Sequence, residues 1–152
     1  MDNERKREVI FCVLNILFAL AIGALIYACL GPDTMLGQWF HWLNIEREIN
    51  SELRAFLRNW GCDFLWAYAL FFSLFIVNGS RTKSLLPSCE VAGITAVAVE
   101  ASQLVEINGV AWGTFDLLDI LIELSAICVG AALLHCRRYY NRKRERGKSC
   151  EQ

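Results

Sequence analysis

Residues 9–30 read VIFCVLNILFALAIGALIYACL, an apolar stretch without a charged side chain. Coiled as an α-helix rising about 1.5 Å per residue, it reaches about 33 Å, enough for a hydrocarbon core of about 30 Å. It therefore predicts a membrane-crossing helix. The basic start, Arg5, Lys6 and Arg7, is shared with secretory signals. The run is nevertheless longer than an h-region of about 7–15 residues, and Tyr27 stands where cleavage ahead of Cys29 wants a small residue, so a retained helix is expected.

The rest of the chain is partitioned in the same way. Its 152 residues are 55% hydrophobic with a formal net charge of -1, yet the charges are segregated. All fifteen Lys and Arg lie outside the apolar blocks. Further spans are expected at about 62–78 (CDFLWAYALFFSLFIVN), 85–105 and 115–135. The fold class that follows is all-α, an integral membrane four-helix bundle. A short basic N-terminus (1–8) precedes one transmembrane domain (9–135), and a polybasic tail (136–152) follows it.

Orientation follows from the basic residues, which resist translocation when they flank a span. With the N-terminus inside, the inner segments hold twelve Lys and Arg and the outer ones three. Both termini are then expected in the cytoplasm. The run CRRYYNRKRERGK (136–148) reads as a topological anchor attracted to anionic lipid heads, not as a nucleic-acid site.

The connection between the first two spans has a pattern of its own. Ile45, Ile49, Leu53, Phe56, Leu57 and Trp60 fall on one helical stripe, and charged residues occupy the other faces. An amphipathic helix over 45–60 lying along the outer interface is expected, with Trp39, Phe40 and Trp42 before it suited to headgroup depth.

Soluble-enzyme signatures are missing. No nucleophile elbow, phosphate loop, H-E-x-x-H or dinucleotide fingerprint is present. The seven cysteines include no C-x-x-C, and the two histidines, His41 and His135, fall on opposite sides of the expected membrane. No metal site and no cofactor are expected. Cys29 and Cys62 both lie toward the outer side, either as free thiols or as a disulfide.

What the apolar blocks do contain is acid. In VEASQLVEINGVAWGTFDLLDILIE (99–123), Glu100 and Gln103 share a helical face at i, i+3, and Asp116, Asp119 and Glu123 share another at i, i+3, i+7. Each carboxylate at a bilayer centre costs about 2.5–3.5 kcal/mol on insertion scales, so such residues are expected to be paired, protonated, near an interface or functional. A connection of about nine residues makes the third and fourth spans antiparallel neighbours, which lets both polar faces meet near the outer edge. Asp63, with Trp66 and Tyr68, begins the second span at the same level. The expected site is a ligand-binding pocket of Asp63, Trp66, Tyr68, Glu100, Gln103, Asp116, Asp119 and Glu123, with Arg54 and Arg58 as candidate counter-ions. Crowded carboxylates in low dielectric repel one another and share protons unless a cation joins them.

The E-x-x-Q of Glu100 to Gln103, the GTFDLLD of residues 113–119 opening a last apolar helix, and CDFLWAYAL before them in the second span together resemble the VanZ-like family of small polytopic bacterial membrane proteins. The likeness runs from about residue 9 to 135. It implies a bacterial plasma-membrane protein of the cell envelope, some relatives of which contribute to resistance to glycopeptide antibiotics of the teicoplanin type. The family's E-x-x-Q falls on Glu100 and Gln103, and its D-x-x-D on Asp116 and Asp119. The chain departs from the family where many relatives have an Arg ahead of the first Asp, since Thr114 and Phe115 stand here, and at Glu123, where many have Asn.

Several functions fit these residues. One is an accessory or binding protein for an envelope lipid or headgroup. Another is an enzyme of lipid or cell-wall precursors working by carboxylate acid–base chemistry. A third is an ion or proton pathway, with Glu90 continuing the acids toward the cytoplasm. In the fourth, the acids only hold the helices together.

Overall fold

The computed structural model describes residues 3–30, 38, 50–79, 85–104, 106–107, 110–111 and 115–149. Residues 45–49 of the amphipathic stripe, Trp39, Phe40, Trp42, Trp112, Arg81 and Lys83 lie outside them. The elements are α1 (Asn3–Leu30), α2 (Ser51–Phe56), a π-helical turn (Leu57–Gly61), α3 (Cys62–Gly79), α4 (Leu86–Ser102), β1 (Glu106–Ile107), β2 (Val110–Ala111) and α5 (Leu117–Ser149). β1 and β2 form a two-residue antiparallel ladder, Glu106 opposite Ala111 and Ile107 opposite Val110.

Three of the helical stretches, Glu4–Leu30, Ser51–Asn78 and Leu117–Lys143, are long and apolar enough to cross a membrane. The fourth, α4, has 17 residues, about 25 Å of rise, and opens with Pro87, whose fixed φ suits a first turn. It stops at Ser102, and Gln103 and Leu104 complete the last turn with backbone bonds to Glu100 and Ala101.

The helices run alternately up and down. Phe11 packs on Phe72, Asn15 bonds Tyr68, and Ile26 approaches Gly61, so α1 and α3 are antiparallel. Gly93 faces Leu124 in an equally antiparallel pairing of α4 with α5. α3 touches all three other long helices and is the hub. Its side chains explain this: Ala67, Phe71, Phe72 and Phe75 are fully or almost fully buried, the rings meeting edge-on or stacked at 5–7 Å.

Burial falls mainly on small side chains and on the rings of α3. The buried residues other than the α3 rings are mainly small: Cys12, Ala19, Ala92, Ala96 and Ala126. Large aliphatic side chains such as Leu14, Leu17, Leu25, Val77 and Ile94 point outward and are more than half exposed. Where hydrocarbon surrounds the protein no hydrophobic drive separates inside from outside, so small residues gather where helix backbones approach. Gly130 is the tightest such point, because a Cβ there would lie 2.7 Å from Cδ1 of Phe71.

Two boundaries differ from the sequence expectation. Residues 51–61 are not set off from the second span: α2 runs through the π turn straight into α3, so the described part of the amphipathic segment is the first part of a continuous helix. A turn with one residue too many rotates the stripe of Leu53 and Phe56 relative to the face that α3 buries. At the other end, α5 continues past the apolar block through the basic run to Ser149, since Arg, Lys and Glu are good helix formers and no proline intervenes.

The end of the assembly that holds both basic segments is clasped. Arg138 pairs with Glu8 through Nε and Oε1, and its guanidinium lies 4.9 Å from the Phe75 ring centroid. Arg137 donates to the Arg7 carbonyl at 2.9 Å and lies 4.0 Å over the Phe11 ring. The N-terminal turns of α1 and the middle of α5 therefore sit together, on the side opposite the acids.

Candidate functional site

At that opposite end, three helices bring their acids to one place. Asp63 stands in the first turn of α3, Glu100 in the last turn of α4, and Asp119 in the first turn of α5 with Glu123 one turn deeper. Asp63 is within Coulombic reach of Asp119 and Glu100, and Glu123 of Glu100, Asp63 and Asp119. Glu100 also feels a hydrogen bond from the Asp116 backbone amide and the charges of Asp119 and Asp116. The antiparallel pairing of α4 with α5 puts residues 100 and 119 at neighbouring ends of adjacent helices.

The site is graded in depth. Asp116 is exposed and Asp119 half-buried, whereas Glu100 and Glu123 are only 4% and 2% exposed. The two deepest acids are incompletely satisfied. Gln103 donates from Nε2 to Glu100 Oε1 at 2.8 Å, which is the work of the E-x-x-Q spacing at the last turn of α4. Oε2 of Glu100 and Oε2 of Glu123 are buried with no hydrogen-bond partner. A buried carboxylate oxygen left unpaired costs free energy unless a proton, a water or a ligand satisfies it.

Other expected members take different places. Asp116 accepts from the Leu118 amide at 2.9 Å through Oδ1 and so caps the start of α5, satisfying one of its free amide donors. Tyr68 turns away from the acids. Its hydroxyl donates to Asn15 Oδ1 at 2.5 Å, and Asn15 in turn donates to the Phe11 carbonyl at 2.8 Å. The reason is angular: Tyr68 lies five residues after Asp63, about 140° around the helix, on the α1 face. Trp66 is 38% exposed and belongs to the outward apolar surface.

The candidate counter-ions stand on the helical stretch ahead of α3, Arg54 half-buried and Arg58 exposed. The charges acting on Asp63, Asp119 and Glu123 are all carboxylates, and Arg58 acts instead on the Tyr27 hydroxyl. Tyr27 also meets the thiol of Cys62, which, like Cys29, is free.

Sequence reading passed over Asn15, the polar partner of Tyr68. A single Asn inside an apolar span was the available signal, since such a side chain seeks a partner on another helix. Glu90, placed on a path toward the cytoplasm, is exposed on α4. Among the described residues no three His, Cys, Asp or Glu side chains converge closely enough to hold a metal ion.

Chemically, the arrangement is a concentration of hydrogen-bond acceptors with negative charge and a single side-chain amide donor. It favours whatever brings positive charge and N–H or O–H donors. Comparison with protein-family models, curated proteins and solved structures returns no match.

Proposed function

We propose that this chain is a VanZ-like integral membrane protein of four spans that binds a component of the bacterial cell envelope through its carboxylate cluster. The observation that carries the reading is the pair of buried, unpartnered glutamate oxygens, Glu100 Oε2 and Glu123 Oε2, in a group of acids drawn from three helices. Helices held together by these acids for stability alone would pair those oxygens.

The membrane placement rests on three long apolar helices and on the ring of exposed aliphatic side chains. α4 is at the short end of what crosses a bilayer, about 17–25 residues. Both termini are cytoplasmic in this reading, because Arg5, Lys6, Arg7 and the basic run after His135 share one end. The acids then open to the outer leaflet, where an envelope lipid or headgroup meets them, and the basic continuation of α5 meets anionic lipid inside.

Binding is favoured over an ion pathway by what lies beneath Glu123. The next buried residues of α5, Ala126, Ile127, Gly130 and Leu134, offer no polar side chain, and the buried polar side chains described on the neighbouring helices at that depth, Ser88 and Tyr68, include no carboxylate. A conducting path needs polar groups at successive depths.

The test is ligand retention. Protein purified from membranes in mild detergent is expected to carry a defined envelope molecule, identified by mass spectrometry, that the double variant Glu100→Gln, Asp119→Asn loses while remaining folded. Identical molecules on both proteins would overturn the reading.

A further inference from the structure

We propose that the group recognised by this cluster is a primary ammonium carried on an amphiphile, seated between Glu100 and Glu123. The proposal rests on the binding reading above and specifies its ligand.

The unsatisfied atoms decide the chemistry. Ionised carboxylates only accept hydrogen bonds, so what they lack is donors. Glu100 accepts from Gln103 through Oε1 and has the Asp116 backbone amide directed at its carboxylate, while Oε2 has no partner within hydrogen-bond distance. A guanidinium prefers to grip both oxygens of one carboxylate, and here that fork would have to displace Gln103. An ammonium instead carries three independently directed donors on a compact charge. The donors it offers match the two unpartnered oxygens, one on Glu100 of α4 and one on Glu123 of α5. A metal ion asks for several donors converging at short range, and among the described residues no such set of three exists.

The surroundings decide what carries the ammonium. The cluster lies at the junction of the end of α4 with the start of α5, and that junction is rimmed by exposed apolar side chains: Leu104, Phe115, Leu117 and Leu118. Among them Asp116 is exposed and Asp119 half-buried, so charge increases inward from an apolar rim. A cationic head on an apolar tail matches both parts: the tail covers the rim and the head reaches the buried oxygens. Desolvation of the two glutamates makes each N–H donated to them count for more than it would at the surface.

The experiment uses the full chain in phosphatidylglycerol nanodiscs. It measures, by native mass spectrometry, retention of added phosphatidylethanolamine, its N-methylated series up to phosphatidylcholine, and dodecylammonium or hexylammonium as competitors. Expected is preferential retention of phosphatidylethanolamine, falling about tenfold or more by the trimethylated lipid, which keeps the charge and loses every N–H. Glu123→Gln should abolish the preference, and Glu90→Gln, far from the cluster, should keep it. The methylation series needs no variant and stands even where Glu123→Gln fails to fold.

Competition by dodecylammonium upholds an amphiphilic amine irrespective of phosphate. Displacement by hexylammonium as effectively as by dodecylammonium overturns the amphiphile. Equal retention of the trimethylated and unmethylated lipids overturns the hydrogen-bonded ammonium. A co-purified envelope molecule without an amine, lost on Glu100→Gln, Asp119→Asn, would overturn this assignment while leaving the binding reading in place.

Discussion

Replacing Gly130 by alanine tests the close approach of α5 to α3 that sets the whole geometry. An added Cβ would lie 2.7 Å from Phe71 Cδ1, 3.3 Å from its Cε1 and 3.4 Å from Cε2 of Phe72. Carbon atoms rest at about 3.5–4.0 Å, so the shortfall at the nearest atom is about 1 Å. Phe71 is fully buried between Phe72 and Phe75 and has nowhere to swing. Overpacking of this kind costs about 1–3 kcal/mol, and the better helix propensity of alanine returns up to about 1 kcal/mol. A net loss of about 1–2 kcal/mol is expected, read as an earlier midpoint when helical circular dichroism is followed during SDS titration of mixed micelles. Two other glycines supply the controls. At Gly23 a Cβ meets nothing within 4 Å, and at Gly93 it meets only Leu124 Cδ2 at 3.5 Å, an ordinary contact. Gly23→Ala should therefore leave the midpoint unchanged or raise it, and Gly93→Ala should sit close to wild type. If Gly130→Ala rises along with Gly23→Ala, then α5 does not pack on Phe71 as described.

Three further outcomes are expected. Tyr68→Phe removes the donor to Asn15 and should cost about 1 kcal/mol in the same unfolding assay, with Asn15→Leu in that background recovering most of it; an undiminished Tyr68→Phe midpoint refutes the bond. Glu123→Leu should make the ligand-free protein more stable by about 1–4 kcal/mol while abolishing ligand retention, because a buried carboxylate with an unpaired oxygen is replaced by a side chain suited to its surroundings. Destabilisation of that variant would mean the carboxylate is a structural tie after all. Arg138→Glu should lower stability, and adding Glu8→Arg should restore about 1 kcal/mol of it; independent effects of the two changes would dissolve the clasp between α1 and α5.

Several particulars could be read before any packing was known. The apolar run of residues 9–30 is long enough to cross a membrane as a helix, and α1 ends at Leu30 as that run does. Glu100 and Gln103 were placed together by the i, i+3 rule, and their side chains do bond. The stacking of Asp119 and Glu123 on one helical face needed nothing beyond the helical period. Tyr68 was legible as a polar ring about 140° around the helix from Asp63, but not as the partner of Asn15, because only the packing of α3 on α1 brings those two side chains together. The continuity of α2 with α3 was equally hidden, since an amphipathic stripe and an apolar span join through a π turn that no residue pattern announces.

The sequence by itself determined where the charges collect and which acids share a helical face, because hydropathy and helical period are properties of a single segment. Only the tertiary structure decided which acids meet, that α3 is the hub, and that Glu100 and Glu123 each keep an oxygen without a partner. The physical reason is that a helix apolar on every side has no preferred face toward lipid. Its rotation is fixed by where Gly130, Ala126 and Ala96 let neighbouring backbones approach, and by the few polar side chains that find one another across the gap.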